Sequence, residues 1–185
     1  MVKQDFNRGW SVYKEGFEAD VKEVNLPHDA MIYEARSKEA ATAGAGGYFE
    51  GGKYIYTKKF VVPAEWEGKV VFVEFEAVYK NATVYLNGEL VAERPYGYSN
   101  FYAELTAGLK IGEENELKVI ADNSKCPNSR WYSGSGIYRE VQLYVANASH
   151  IALDGVKITT LDEQTVKVDA KVVGGDKVYV EILDG

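Results

Sequence analysis

Two short runs of strand-forming residues flank an Asn-Gly pair in the stretch Thr83-Val84-Tyr85-Leu86-Asn87-Gly88-Glu89-Leu90-Val91. Asn-Gly is a strong signal for a two-residue β-hairpin, because both central residues of a type I′ turn need positive φ. The stretch therefore predicts two antiparallel strands joined by a tight turn at Asn87 and Gly88.

Further strand signals lie on both sides of this hairpin, whereas helical periodicity is almost absent. Alternation is clearest where Val71, Val73 and Phe75 share one face. The remaining runs rich in β-formers are residues 54–62, 69–75, 101–105, 116–120 and 140–145. Short strands with polar, glycine-bearing connections predict an all-β chain folded as an antiparallel β-sandwich or jelly roll.

Composition limits the classes of function. The chain has 185 residues, 46% of them hydrophobic, which is enough for one full domain and part of another. A net charge of −7 argues against nucleic acid as a partner. No apolar run is long enough to span a bilayer, and residues 1–10 do not resemble a signal peptide, so we expect no membrane association and a cytoplasmic location.

The cysteine and histidine content gives no metal or disulfide signal. Cys126 is the single cysteine, which excludes an internal disulfide, and a packing or incidental role is expected for it. His28 and His150 lie far apart without ligand spacing, so no metal site and no cofactor are predicted.

A domain boundary is expected near residues 146–150. Beyond it the sequence predicts three strands at 155–160, 165–173 and 177–183, with a turn at Gly174-Gly175. Three strands are too few for a complete sandwich of about seven. We therefore expect one domain over residues 1–147, the truncated start of a second over residues 148–185, and a chain that is a piece of a longer protein.

The segment Pro127-Asn-Ser-Arg-Trp-Tyr-Ser-Gly-Ser-Gly-Ile-Tyr-Arg139, here called the signature loop, concentrates aromatic rings and hydrogen-bonding groups. Flat apolar faces beside donors suit a sugar, which offers a C–H face and hydroxyls. A well-packed entry to the next strand, with an arginine in an ion pair, is the structural alternative, and the residues alone leave both open.

Two other segments carry the same ambiguity. Residues 44–52 are too glycine-rich for regular structure and read as a surface loop or as backbone that approaches a ligand. His28 and Asp29 suggest acid–base chemistry, but adjacent side chains need not face each other. We expect them to hold the loop that follows Pro27.

Four motifs together resemble the N-terminal part of glycoside hydrolase family 2, the group of β-galactosidases, β-glucuronidases and β-mannosidases. They occur in the family's order and cover about residues 5–150. They are the Leu-Pro-His-Asp element at 26–29, the glycine-rich stretch that runs into the strand at 54–60, the Ala-x-Val-Tyr-Leu-Asn-Gly hairpin at 82–88, and Arg-Trp-Tyr-Ser-Gly-Ser-Gly-Ile-Tyr-Arg at 130–139. The form of the last motif is most similar to β-galactosidases.

This resemblance implies a jelly-roll sugar-binding domain, followed by an immunoglobulin-like sandwich and a catalytic (β/α)8 barrel. The family cleaves β-linked sugars with retention, using two barrel glutamates about 5–5.5 Å apart. No catalytic residue is therefore expected in this chain, which should be inactive alone. The carboxylate pairs Glu74 with Glu76, predicted to face solvent, and Glu113 with Glu114, in a turn, are expected to be non-catalytic.

The resemblance also implies that this domain lends loops to the wall of the first sugar subsite. The substrate-binding residues expected on this basis are Tyr79, Asn128, Arg130 and Trp131, with Tyr132 a weaker candidate. Asn128 stands where some relatives carry a metal-associated carboxylate, and an amide lacks that charge. Residues 133–136 are expected to shape the turn, Ile137 and Tyr138 to pack, and Arg139 to anchor the loop.

The expected partners are a carbohydrate similar to a β-galactoside and the catalytic barrel of the same protein, which is itself a possible homo-oligomer. A free-standing carbohydrate-binding module is the alternative from another class. A third possibility is a purely architectural domain that supports the barrel.

Overall fold

The computed structural model describes residues 1–125 and 127–183, so Cys126 and the role expected for it lie outside the described residues. Within them the chain is dominated by β-structure, with helix restricted to short 3-10 turns. The strands are β1 (Val2–Asp5), β2 (Trp10–Lys14), β3 (Lys22–Val24), β4 (Lys53–Val61), β5 (Val70–Phe75), β6 (Ala82–Leu86), β7 (Glu89–Arg94), β8 (Phe101–Glu104), β9 (Glu114–Asp122), β10 (Val141–Ala146), β11 (His150–Thr160) and β12 (Val166–Val173).

Ten of these strands form a two-sheet sandwich. One sheet has the order β1-β10-β5-β8 and the other β3-β2-β4-β9-β6-β7. All pairings within them are antiparallel, and neighbours in the sheet are often distant in the chain, as in β4 beside β9. The all-β sandwich expected from the sequence is confirmed.

The core lies between the two sheets. Val71, Val73 and Phe75 are 1%, 0% and 0% exposed, as their alternation along β5 predicts. Burying each such side chain stabilises the fold by about 1.5–3 kcal/mol. Rings and aliphatic groups from the opposite sheet complete the core, chiefly Trp10, Tyr56, Val84, Leu86, Leu117 and Val119.

The hairpin at Asn87-Gly88 joins β6 to β7 as predicted. The φ angles of these two residues are 51° and 90°, both positive as a type I′ turn requires. The Asn87 side chain also forms long-range hydrogen bonds: its Nδ2 donates to the Gly108 carbonyl and to Oδ1 of Asn115. The turn is therefore tied to the neighbouring connection.

The sequence did not reveal strands β1 to β3. β1 is exposed along its whole length, and β3 has only three residues at the edge of its sheet. Neither shows the alternation by which a half-buried strand is recognised. Their pairing with β10 and β2 places residues 2–24 on both sheets of the sandwich.

The tail forms a separate two-stranded antiparallel sheet of β11 and β12. The strand predicted at 177–183 is absent from the described residues, and the connection between the two strands runs through Leu161, whose backbone N–H bonds the Thr165 carbonyl. Alternating valines alone were a poor guide there, because a strand also needs a neighbour to pair with. The expected turn at Gly174-Gly175 therefore joins no second hairpin.

Glu74 does not face solvent, in contrast to the prediction. It is 8% exposed, and its carboxylate accepts hydrogen bonds from the Tyr144 hydroxyl at 2.8 Å and Asn100 Nδ2 at 3.0 Å. The outer face of the four-stranded sheet is covered near this point, where Tyr102 donates to Asp154 of β11. The alternation of β5 gave the inner face correctly but could not reveal what covers the outer one.

No helix in the described part of the chain is long and apolar enough to cross a membrane.

Candidate functional site

The signature loop is tied at its base to the segment that contains His28 and Asp29. The backbone N–H groups of His28 and Ala30 donate to the carbonyls of Ile137 and Ser135, each at 2.8 Å. The Asp29 carboxylate accepts from the Ser135 N–H at 2.9 Å and from the Tyr132 hydroxyl at 2.6 Å. Asp29 is thus a structural acceptor that fixes the loop, as expected from the sequence.

Two glycines allow this close approach. Gly134 has φ +70°, and a side chain there would meet the Asp29 carboxylate at 2.7 Å. Gly136 has φ +135°, and a Cβ there would lie 2.9 Å from the His28 carbonyl and closer still to the Tyr56 hydroxyl. The Ser-Gly-Ser-Gly run shapes the turn as predicted, since no other residue fits between these groups.

His28 is held on the other side of the same junction. Its Nδ1 lies 2.8 Å from the Tyr56 hydroxyl, and its ring stacks on Tyr33 at 5.4 Å with an interplanar angle of 14°. Burial lowers the pKa of His28, opposed by the nearby Asp29 charge and reinforced by Lys22. The Tyr56 contact and the Tyr33 stack hold the imidazole in one orientation, which is a structural role.

Asn128 belongs to an internal hydrogen-bond network. The Tyr79 hydroxyl donates to Asn128 Oδ1 at 2.9 Å, while Asn128 Nδ2 donates to Asn123 Oδ1 and to the Lys125 carbonyl. Asn123 is 1% exposed and bonds Ser135 Oγ and the Gly134 carbonyl in turn. Both amide hydrogens of Asn128 are engaged, so it joins the start of the signature loop to its base.

Tyr79 is also a supporting residue. It is 4% exposed, its backbone pairs with Gly136 in both directions, and its ring packs so closely on Gly97 that a Cβ there would lie 2.5 Å from it. The sequence placed Tyr79 in direct contact with substrate. The structure places its ring behind the surface, because the 95–100 connection covers it.

An exposed aromatic patch lies in front of Tyr79. It consists of Tyr96, Tyr98 and Trp131, which are 60%, 49% and 63% exposed. The Tyr98 ring contacts Tyr79 at 5.3 Å and Tyr96 at 5.7 Å. Burial and a hydrogen bond with Tyr79 raise the pKa of Tyr98, and a hydrogen bond with Trp131 lowers it. Tyr98 therefore lies beside both Tyr79 and Trp131.

Arg130 and Trp131 stand at the exposed crest of the signature loop. Both side chains are exposed, and an indole next in sequence to a guanidinium offers the flat apolar surface and the donors that a sugar uses. Ile137 is fully buried and the Tyr138 hydroxyl bonds the Gly97 carbonyl, so both pack as predicted. Arg139 is exposed and forms no ion pair within the described residues, so it does not anchor the loop.

Tyr96, Tyr98 and Asn123 were missed in the sequence. The first two lie in Pro95-Tyr-Gly-Tyr-Ser-Asn100, a short aromatic connection that resembles an ordinary turn until the fold brings it against Tyr79. Two tyrosines around a glycine in a loop were the available signal. Asn123 gave none, because its value lies in partners 11 and 12 residues away.

No cluster of three or more side chains suited to a metal ion occurs in residues 1–125 and 127–183. The pair Glu113 and Glu114 lies at the start of β9, where Glu114 forms an exposed ion pair with Lys59 at 3.3 Å. An exposed ion pair of this kind is typical of a solvated surface.

The family model described as "Glycosyl hydrolases family 2, sugar binding domain" matches residues 13–147. A β-galactosidase from Bacteroides ovatus is 40% identical over 167 residues, which are 85% of this chain and 20% of that protein. A putative β-glucuronidase from Formosa agariphila is 32% identical over 98% of this chain and 19% of its own length. The chain thus spans about a fifth of the length of these curated relatives.

Solved structures give the same result. A β-glycosidase from Bacteroides vulgatus superposes with a TM-score of 0.85 and 31% identity, covering 96% of this chain and 25% of that one. A glycosyl hydrolase family 2 member from Bacteroides cellulosilyticus has a TM-score of 0.84, also at 31% identity, over 93% of this chain and 24% of its own.

Proposed function

Because the chain belongs to glycoside hydrolase family 2 and matches its sugar-binding domain, we propose that it is the N-terminal, non-catalytic region of a retaining β-glycosidase and is inactive on its own. In this proposal its aromatic patch forms part of the wall of the sugar subsite. The catalytic carboxylates are supplied by a (β/α)8 barrel further along the same protein.

The observation that carries this proposal is the exposed Trp131 at the crest of a rigidly tied loop. Trp131 is 63% exposed and belongs to the aromatic patch with Tyr96 and Tyr98, and exposed apolar patches of this kind mark ligand-binding surfaces. The network of Asp29, Asn123 and Asn128 fixes the loop below it, so Trp131 and Arg130 are pre-positioned for contact. Pre-positioning lowers the entropic cost of binding.

The four residues expected to bind substrate take two different roles in this account. Trp131 contacts the apolar face of the sugar and Arg130 bonds its hydroxyls. Asn128 and Tyr79 hold these two in place from below, through the 2.9 Å hydrogen bond that joins them. Tyr98 joins the contact surface because it meets both Tyr79 and Trp131.

The sugar in this proposal is a β-galactoside. The support is the identity of 40% with a β-galactosidase and the form of the 130–139 motif. Relatives also include β-glucuronidases, whose names indicate an acidic sugar. Hydrolysis of nitrophenyl β-galactoside and β-glucuronide by the longer protein separates the two, and faster cleavage of the glucuronide would contradict this part of the proposal.

We propose a domain boundary at residues 147–148, with residues 148–185 as the start of an immunoglobulin-like sandwich. The family match ends at residue 147, and among the strands of residues 1–125 and 127–183 β11 and β12 pair only with each other. Translating the gene beyond Gly185 tests both parts. The proposal expects further sandwich strands and then a barrel with an Asn-Glu acid/base pair and a later glutamate, whereas a stop codon soon after Gly185 would contradict it.

A weak half-site is the expected behaviour of the 185-residue chain alone. Titration with galactose and lactose should give dissociation constants of about 1 mM or weaker, which corresponds to a binding free energy of about 4 kcal/mol or less. Contacts on one side of the sugar leave little surplus after the entropic cost of binding. Micromolar binding at Trp131 would instead favour a free-standing binding module.

A further inference from the structure

A second concave surface lies on the same domain, apart from the signature loop. It is a groove of about 510 Å³ between β2, the start of β3 and the segment 28–37, here called the Tyr33 groove. Its volume falls within the range of small-molecule sites. None of its lining residues comes from 79–81, 95–100 or 127–139, so it is separate from the aromatic patch.

Tyr33 is the central feature of this groove. It is 71% exposed, and one face of its ring stacks on His28, which is itself fixed by the 2.8 Å contact between Nδ1 and the Tyr56 hydroxyl. Tyr33 lines the groove. Phe17, 56% exposed, adds a second aromatic ring to the lining. Exposed rings held in one orientation are platforms for an apolar ligand face.

Polar groups converge beside these rings. Oε1 of Glu34 forms an ion pair with the Lys14 ammonium at 2.6 Å and accepts a hydrogen bond from the Tyr54 hydroxyl at 2.8 Å. Oε2 has no donor among the described residues. The Arg36 guanidinium lies over the Phe49 ring, 5.3 Å from its centroid, and the residue as a whole is exposed. The groove therefore offers a fixed acceptor and fixed donors next to an aromatic face.

The positive and negative side chains that line the groove are balanced in number, which bears on the charge of its ligand. The groove contains three cations, Lys14, Lys22 and Arg36, and three carboxylates, Asp20, Glu34 and Glu50, although the whole chain carries −7. This balance favours neither an anionic nor a cationic ligand. A neutral molecule with an apolar face and hydroxyls fits both the rings and the balanced polar groups.

We propose that the Tyr33 groove is a second carbohydrate-binding site, which takes a neutral saccharide with its C–H face on Tyr33 and its hydroxyls on Glu34 and Arg36. This site does not depend on the role proposed for Trp131, because the two surfaces share no residue. It would hold a sugar away from the subsite wall, as an auxiliary site does for an extended substrate.

The test is a two-dimensional NMR titration of the 185-residue chain with lactose and with a neutral β-linked galactan oligosaccharide. The proposal expects saturable shifts of the backbone signals of residues 33–36. Tyr33→Ala should weaken this binding about fivefold or more, whereas Tyr33→Phe should retain it, because the phenyl face is kept. Trp131→Ala is the matched control, and it should leave the groove affinity unchanged.

Three results would overturn the proposal. The first is an absence of shifts at residues 33–36 up to the solubility limit of the oligosaccharide. The second is shifts confined to the Trp131 indole, which would support the subsite wall while removing the second site. The third is tighter binding of an oligogalacturonate than of the neutral oligosaccharide, which would contradict the neutral ligand.

Discussion

The Tyr132 hydroxyl donates a 2.6 Å hydrogen bond to Oδ2 of Asp29, across a sequence separation of 103 residues. Burial, this hydrogen bond and the carboxylate charge together raise the pKa of Tyr132, so the phenol keeps its proton and remains a donor. The relationship explains why a Leu-Pro-His-Asp element and a distant Ser-Gly-Ser-Gly run occur in one chain: each holds the other in place.

Replacing the carboxylate at this junction should destabilise the domain. Asp29→Ala removes the acceptor of Tyr132, Ser135 and the Met31 N–H, and leaves buried donors unpaired. We expect the free energy of unfolding to fall by about 2–4 kcal/mol, because hydrogen bonds to charged groups contribute about 1.5–3 kcal/mol each. Urea unfolding measures this change. Asp20→Ala, at an exposed position, is the control, and equal stabilities of the two variants would refute the junction.

A side chain at Gly136 should not be accommodated. Gly136→Ala places a methyl group against the Tyr56 hydroxyl and the His28 carbonyl, at a φ of +135°. Gly112→Ala is the matched control, since its φ is +76° but no atom lies within 4 Å of the added Cβ. Positive φ alone costs about 1–2 kcal/mol, so Gly136→Ala should lose clearly more stability than Gly112→Ala. Similar melting temperatures would show that the junction is not tightly packed.

Stability should depend on pH through His28. Burial lowers its pKa in the folded state, so the unfolded chain binds the proton more readily between the folded value and about 6.5. The contribution is complete above pH 6.5 and is lost as the pH falls through this window. His28→Asn should flatten this part of the profile of unfolding free energy against pH, as measured by urea unfolding at a series of pH values. A profile unchanged by His28→Asn would contradict the assignment.

Glu74 and Glu76 flank Phe75 in the sequence, but their contributions to stability should differ sharply. Glu74→Ala leaves the Tyr144 hydroxyl and Asn100 amide without their acceptor in a buried place, which costs about 1–3 kcal/mol. Glu76 is half-exposed, and its replacement by alanine should change stability by less than about 0.5 kcal/mol. Thermal unfolding followed by circular dichroism compares the two variants. If both are neutral, the buried network on the outer face is not a source of stability.

Much of the sandwich could be predicted from local signals. Alternation along β5 and β9 and the Asn-Gly turn depend on neighbours in sequence, which propensity and side-chain period describe directly. Strands β1 and β3 could not be predicted, because these edge strands bury little side-chain surface and show no regular alternation of apolar and polar residues. The strand expected at 177–183 failed for the opposite reason, since its pattern was present but no neighbouring strand was.

The candidate site was less predictable, because its members are assembled by long-range contacts. The composition of one loop suggested a sugar site, and the family resemblance of the 130–139 motif then singled out Arg130 and Trp131. The supporting role of Tyr79 follows from its burial beneath Gly97, which the sequence does not encode locally. The contribution of Tyr98 likewise exists only where the 95–100 connection meets Tyr79 and the signature loop.

The central claim is that Trp131 forms part of the sugar subsite of a longer enzyme. The most direct measurement is kcat/KM for a β-galactoside in that enzyme, for Trp131→Ala and for the control Arg139→Ala, an exposed residue of the same loop. The account predicts a loss of about tenfold for Trp131→Ala, equivalent to about 1.4 kcal/mol of transition-state binding, with the control near wild type and all melting temperatures equal. An unchanged kcat/KM for Trp131→Ala at equal stability would contradict it and leave the domain a purely architectural role.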